Sequence, residues 1–270
     1  MKKLNISTLL CGLILFISSC DPDDAAYNRG AAKYDLKDYT GAIADFNKAI
    51  QVNPDYANAY MFRGVAKDDL KDYNGAIEDF NKAIQLNPDD AKAYNNRGIA
   101  KKNLQDYTGA IADYNKAIQL NPDYAFAYYC RGIAKYDLKD YNGTMADYNK
   151  AIQLKPDYAE AYYNRGCAKD DLKDYNGEIE DFNKAIQLKP DDAKAYYNRG
   201  NAKGRLEDYT GAIEDFNKAI QLKPDYAFAY YSRGYSKHYL KDKIGACTDW
   251  SKAGELGCSD AYAYIKNYCQ

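Results

Sequence analysis

Residues 91–123 read AKAYNNRGIAKKNLQDYTGAIADYNKAIQLNPD, and most of the remaining chain is a set of near-copies of this stretch. Pro54, Pro88, Pro122, Pro156, Pro190 and Pro224 recur at one spacing, 34 residues at every step. Between them the same letters return in order: AY, RG, DY, a DF or DY pair, and NKAIQ. A fixed period of this size marks an array of supersecondary units, each unable to bury its apolar face without its neighbours.

In residues 57–90, Ala59, Tyr60, Ala66 and Leu70 fall at helical spacing, as do Tyr73, Ala76, Ile77, Phe80, Ala83 and Ile84. The pattern predicts two amphipathic helices, roughly 55–70 and 73–86, each too short to stand alone. Asp72 suits the cap of the second helix, and Pro88 suits the first turn of the next. Gly64 and Ala76 allow close helix approach, and Tyr60, Tyr73 and Phe80 fill the seam. The set Tyr94, Tyr128, Tyr162, Tyr196 and Tyr230, in phase with Tyr60, is assigned to core.

The unit, with an early aromatic, a small residue soon after, a mid-unit Tyr, a later Ala and a closing Pro, resembles the tetratricopeptide repeat (TPR). The resemblance covers nearly the whole chain after its first residues. It implies an all-α, right-handed superhelical solenoid of antiparallel helix pairs. Phasing gives seven repeats over residues 23–260 and a capping helix over 261–270. It also implies a non-enzymatic adaptor that holds a protein or an extended peptide in its concave groove.

The chain opens MKKLNISTLLCGLILFISSC. A basic front of Lys2 and Lys3, a short apolar run and a small-residue ending read as a secretory signal over residues 1–19. The Ile17-Ser18-Ser19-Cys20 ending resembles a bacterial lipobox, which makes Cys20 the acylated first residue of a lipidated N-terminus, 20–22. Asp21, Asp23 and Asp24 resemble sorting or surface-export signals of some bacterial lipoproteins. The expected location is therefore the cell envelope, anchored by lipid, at the outer membrane and facing the periplasm or the surface. The formal charge of −2 becomes −4 once Lys2 and Lys3 are removed. Charges of both signs are interspersed without a basic run, which argues against a nucleic-acid partner.

Arg29, Arg63, Arg97, Arg131, Arg165, Arg199 and Arg233 hold one phase of the repeat, where the common family pattern has an apolar residue. Asp45, Asp79, Asp113, Asp147, Asp181, Asp215 and Asp249 hold another. An arginine in a packed seam needs a partner, so the two series predict a ladder of ion pairs. A row of arginines for anionic ligands is the functional alternative. Lysines keep phase too, at Lys33, Lys67 and onward and at Lys48, Lys82 and onward. The second series reads as a solvated helix face, and neither implies a polyanion site.

In the family, first helices line the concave face. Carried over by phase, one inner position holds Tyr27, Met61, Asn95, Tyr129, Tyr163, Tyr197 and Tyr231. The next holds Asn28, Phe62, Asn96, Cys130, Asn164, Asn198 and Ser232. In peptide-binding members, an Asn at the second position reaches a peptide backbone. The tyrosines would form a ladder along the groove, offering flat apolar area and a hydroxyl. Two other readings stay open: carbohydrate or peptidoglycan-fragment binding on these tyrosines, and structural assembly through the convex face. The lysine of the family's carboxylate clamp is absent from the corresponding positions.

Nothing predicts a catalytic constellation, a cofactor or a metal. His238 is the single histidine and reads as a helix-surface residue. Cys130, Cys167, Cys247, Cys258 and Cys269 match neither a metal site nor a redox pair. They read as half-buried small residues in a fold that needs no staple, with Cys258 and Cys269 the candidate late pair. Thr144 and Glu178 replace the small Ala of Ala42, Ala76, Ala110, Ala212 and Ala246, which predicts a looser joint there. Lys243 replaces a Tyr in the last repeat, and Trp250 takes the seam position.

Overall fold

The computed structural model describes residues 21–269, so the signal segment 1–19 and Cys20 lie outside the described residues. The chain divides into two compact units, Met1–Pro122 and Asp123–Gln270. The first contains α1 (Pro22–Asp35), α2 (Tyr39–Val52), α3 (Ala57–Asp69), α4 (Tyr73–Leu86), α5 (Ala91–Asn103) and α6 (Tyr107–Leu120). The second contains α7 (Ala125–Asp137), α8 (Tyr141–Leu154), α9 (Ala159–Asp171), α10 (Tyr175–Leu188), α11 (Ala193–Arg205), α12 (Tyr209–Leu222), α13 (Ala227–Tyr239), α14 (Lys243–Glu255) and α15 (Asp260–Tyr268). The described residues are all-α, and within each unit every helix packs on the one that follows it.

The hairpin inside each pair is built by three residues. Lys71 takes a left-handed φ of 65°, its N–H bonds the Asp68 carbonyl at 2.8 Å, and the Asp72 N–H bonds the Lys67 carbonyl at 2.9 Å. Asp72 then caps α4 by accepting from the Gly75 N–H at 3.0 Å. A Cβ at Gly75 would stand 2.2 Å from the capping carboxylate, so this position excludes a side chain. Lys71 has the reverse problem, a side chain where glycine is preferred. Lys71→Gly is therefore expected to stabilise the protein by about 1 kcal/mol, read as a higher denaturation midpoint. A lower midpoint would show that the lysine stem contributes more than the strained backbone costs. Pro88 does not enter the next helix. It sits in the turn before Asp90, which caps α5 through the Lys92 N–H at 2.8 Å.

One large ring closes the seam of each pair: Phe46, Phe80 and Tyr114 in the first unit, and Tyr148, Phe182, Phe216 and Trp250 in the second, all fully buried. A Cβ on Gly64 would lie 2.7 Å from the Phe80 ring, so the glycine of the RG motif is what lets the ring lie on the helix backbone.

The Arg–Asp ladder is present, and each arginine does more than pair. Arg63 donates from Nε and Nη2 to Asp79 at 2.9 and 2.5 Å, and from Nη1 to Asn47 of the preceding pair at 2.6 Å. Its guanidinium lies 5.3 Å from the Tyr60 ring centroid. Arg97, Arg165, Arg199 and Arg233 repeat this pattern with Asn81, Asn149, Asn183 and Asn217. Their donors are committed to packing, which removes the anion-binding alternative for these positions. The tyrosines beneath them are half-buried platforms for the guanidinium rather than fully buried core, a correction to their sequence assignment, and Tyr230 also packs against the Trp250 cluster. Lys67, of the first lysine series, closes the other side of Asp79 at 2.8 Å. That role was not read from sequence.

The last described helix, α15, packs on α14. Cys247 bonds Cys269, so the Cys258–Cys269 pairing expected from sequence is incorrect, as is the expectation of a fold without a staple. Cys258 is buried as a free thiol against Trp250, Ala253 and Ala261. Sequence order hid this arrangement, because α15 folds back to bring position 269 onto α14. His238 is likewise not a surface residue. It is half-buried, with its ring 4.5 Å from Tyr268 and 5.8 Å from Trp250. Cys269→Ser is expected to cost about 3 kcal/mol, the loop-closure contribution of a bridge of this span. Equal denaturation midpoints for oxidised and reduced protein would refute that contribution.

Candidate binding face and its clefts

In the second unit the inner tyrosines come from the second turn of each first helix. Tyr129, Tyr163 and Tyr197 do not stand as free platforms. The Tyr129 ring lies 6.0 Å from Tyr148 and 4.9 Å from Tyr158. Tyr163 lies 5.6 Å from Phe182, Tyr197 lies 6.0 Å from Phe216, and Tyr231 lies 5.5 Å from Tyr264. Each inner tyrosine is therefore anchored on the aromatic seam. Burial pushes the Tyr129 hydroxyl up to about 12, and it raises Tyr163 and Tyr231 as well.

The inner asparagines tie this row together. Asn164 Nδ2 donates to the Tyr129 hydroxyl at 2.9 Å, and Asn198 Nδ2 donates to the Tyr163 hydroxyl at 2.9 Å. The two positions predicted to meet a ligand separately thus form rungs from one repeat to the next. Cys130, at the corresponding place on α7, is buried.

The first unit is less uniform. Tyr27 packs 5.2 Å from Tyr56 and 5.6 Å from Phe62, and burial raises its hydroxyl. Asn28 is exposed and Asn96 half-buried. Asn95 is fully buried, with neither side-chain polar atom bonded among the described residues, so it is not a groove contact. Phase alone misplaced it: its neighbours in the series, Met61 and Tyr129, are half-buried, whereas the asparagine is fully enclosed.

A cleft of 410 Å³ in the second unit adjoins Tyr231, the last of the inner tyrosines. Its walls include Asn201, Gly204 and Arg205 of α11, Tyr209 of α12, and Tyr231 and Tyr235 of α13. Asn201, Gly204 and Arg205 each break the repeat pattern. A Cβ on Gly204 would meet nothing within 4 Å, so packing does not require glycine there. Tyr209 and Tyr239 stack at 4.8 Å beside the cleft, and the Tyr235 and Tyr239 hydroxyls lie 3.0 Å apart. Sequence reasoning missed this cluster, although departures from period were a usable signal. A smaller hollow of 100 Å³ lies between Tyr129, Tyr163 and Asn164 and is rimmed by the Lys189–Glu160 ion pair.

Sequence models described as "Tetratricopeptide repeat" match residues 24–56 and 193–226, and models described as "TPR repeat" match 69–105, 102–139, 134–169 and 171–207. The chain belongs to the tetratricopeptide repeat family. Solved TPR structures resemble it across most of their own length. A MamA protein is 27% identical, covering 63% of this chain and 93% of its own, with a TM-score of 0.56. YrrB, described as a TPR protein with an unusual peptide-binding site, is 23% identical over 70% of this chain and 97% of its own, at 0.58. A tetratricopeptide repeat protein from Parabacteroides merdae is 20% identical over 92% and 99%, at 0.65. The curated proteins contain no match.

TPR proteins are interaction scaffolds that bind protein or peptide partners, and the fold is generally non-enzymatic. Among the described residues of this TPR chain, no three His, Cys, Asp or Glu side chains stand together as a metal site. No described helix is long and apolar enough to cross a membrane.

Proposed function

We propose that this chain is a scaffold or adaptor of the bacterial cell envelope, held to the membrane by lipid on Cys20. It takes a protein or an extended peptide on the first-helix face of its second unit. The observation that carries this reading is the row of Tyr129, Tyr163 and Tyr197, with Asn164 and Asn198 as rungs. Rings fixed from below, and the Tyr129 and Tyr163 hydroxyls fixed from the side, lose little freedom when a partner binds, which favours affinity through pre-organisation. These rings are half-buried and tilted against neighbouring aromatics, which weakens the sugar-stacking alternative for these tyrosines. That alternative is better supported at Tyr235 and Tyr239, which are 37% and 49% exposed beside the 410 Å³ cleft.

The test leaves the structural rings in place. Crosslinking from envelopes would compare the native protein with the Asn164→Ala/Asn198→Ala double variant, with helicity checked by circular dichroism. Loss of one specific protein partner from the folded variant is the expected result. Retention of every partner moves the binding surface elsewhere. In the same experiment Cys20→Ala is expected to release the protein from the membrane fraction. A variant that stays membrane-bound rules out the lipid anchor.

A further inference from the structure

Between the end of α9 and the second half of α11 lies a further pocket of the second unit, 210 Å³ in volume, next to the tyrosine-rich cleft and sharing Asn201 and Arg205 with it. Its floor is Glu178 of α10, which stands where most repeats carry alanine. Glu178 is 4% exposed, and its Oε2 atom has no hydrogen-bond partner among the described residues. The pocket side facing it carries Asp170 and Asp171 of α9. Cys167, where three earlier repeats carry the larger Val65, Ile99 and Ile133, lines the same pocket.

We propose that this pocket receives a cationic side chain, the guanidinium of arginine or the ammonium of lysine, from the bound peptide. The proposal deepens the peptide-binding reading and rests on it. Three acidic side chains line one pocket, and Arg205 is the one cation the pocket lining contributes. Arg205 is already engaged, paired with Asp170 and lying 5.3 Å from the Tyr175 ring centroid. Asp171 accepts from the Tyr136 hydroxyl, which holds the rim in place. Glu178 Oε2 is thus left as a buried acceptor without a donor, and a multi-donor cation supplies what it lacks. The repeat shows that this is not a packing requirement, since alanine fills the same place in five other pairs.

Binding is linked to a proton. Burial pushes the Glu178 carboxyl up to about 7, with the Asp174 charge adding to the effect. The other groups facing it are Tyr136 from α7, Cys167, Asp170 and Asp171 from α9, and Arg205 from α11. The Cys167 thiol is pushed up to about 11 by burial and stays neutral throughout. A cation that selects ionised Glu178 releases its proton, so the apparent affinity follows the ionised fraction.

The experiment titrates the full mature chain with n-butylguanidinium and, in parallel, n-butylammonium, followed by protein NMR at pH 6 and pH 8, with n-butanol as the uncharged control. Saturable shifts around α9–α11 for at least one of the two cations, about tenfold tighter at pH 8 than at pH 6, and none with butanol, are expected. Glu178→Gln should weaken that binding at least tenfold at pH 8 and abolish the pH dependence. Asp171→Asn should weaken it while keeping the pH dependence. Equal affinity of native protein and Glu178→Gln, no saturable binding of either cation, or equal binding of butanol would overturn the proposal. Retention of the envelope partner by Glu178→Gln would overturn this assignment and leave the scaffold reading standing. Cation binding as described, with no protein partner at all, would sink the scaffold reading instead.

Discussion

Glu178→Ala is expected to stabilise the protein, and by about 2–3 kcal/mol more at pH 8 than at pH 5. In the fold its carboxyl is raised to about 7, against an ordinary value of 4.5. Below pH 4.5 the carboxyl is protonated in both folded and unfolded chains, and ionisation costs nothing. Between pH 4.5 and 7 the unfolded chain ionises while the folded one stays neutral, so stability falls by about 1.4 kcal/mol per pH unit. Above pH 7 both ionise and the loss is complete. Alanine removes the whole dependence, and the five alanine-bearing pairs show that the seam closes around it. The local geometry agrees with a wedge. In most repeats the leucine ending the first helix bonds the carbonyl four residues back, as Leu70 does with Ala66 at 3.3 Å. In the repeat with the glutamate, the Leu172 N–H reaches the Asp170 carbonyl instead. Urea denaturation at the two pH values is the measurement, and an identical change at both would rule out a buried, protonated carboxyl.

The second large effect concerns the buried aspartates. Asp181 is 3% exposed and holds Arg165 at 2.9 and 2.5 Å and Lys169 at 2.9 Å. Those two side chains are only 17% and 13% exposed. Asp181→Ala strands two cations that cannot easily reach water, and a loss of about 3 kcal/mol is expected. In the first repeat, Arg29 is 55% exposed and stands 3.7 Å from Asp45. There Asp45→Ala should cost about 1 kcal/mol, because its cations are already hydrated. Denaturation of the two variants side by side decides the matter. Equal losses would mean that the pairs act through charge alone and that burial contributes nothing.

The helix pairs were legible because period, capping Asp and glycine recur in every copy, so each position was read several times over. The ion-pair ladder was legible for the same reason, once a seam arginine was seen to require a partner. What escaped was tertiary. The role of Lys67 depends on a carboxylate of the following helix, and the Cys247–Cys269 bridge depends on how α15 turns back. On the first helices of the second unit, phase brought Tyr129 and Tyr163 to one row. It gave no sign that Asn164 and Asn198 would spend their amides on the tyrosine hydroxyls, or that Asn95 would be submerged. The clefts were hidden by the regularity itself, since Asn201, Gly204 and Arg205 matter through their departure from it.

The arginine that bonds an asparagine of the preceding pair gives the array a direction. In the second unit Arg165, Arg199 and Arg233 each reach backward, to Asn149, Asn183 and Asn217. Removing a pair from the carboxyl side leaves behind an exposed amide, which water satisfies at little cost. Removing one from the amino side deprives a half-sequestered guanidinium of its acceptor. The linkage is one-way, like roof tiles that each rest on the one before, and loss of structure should advance more readily from the carboxyl edge once α15 is released.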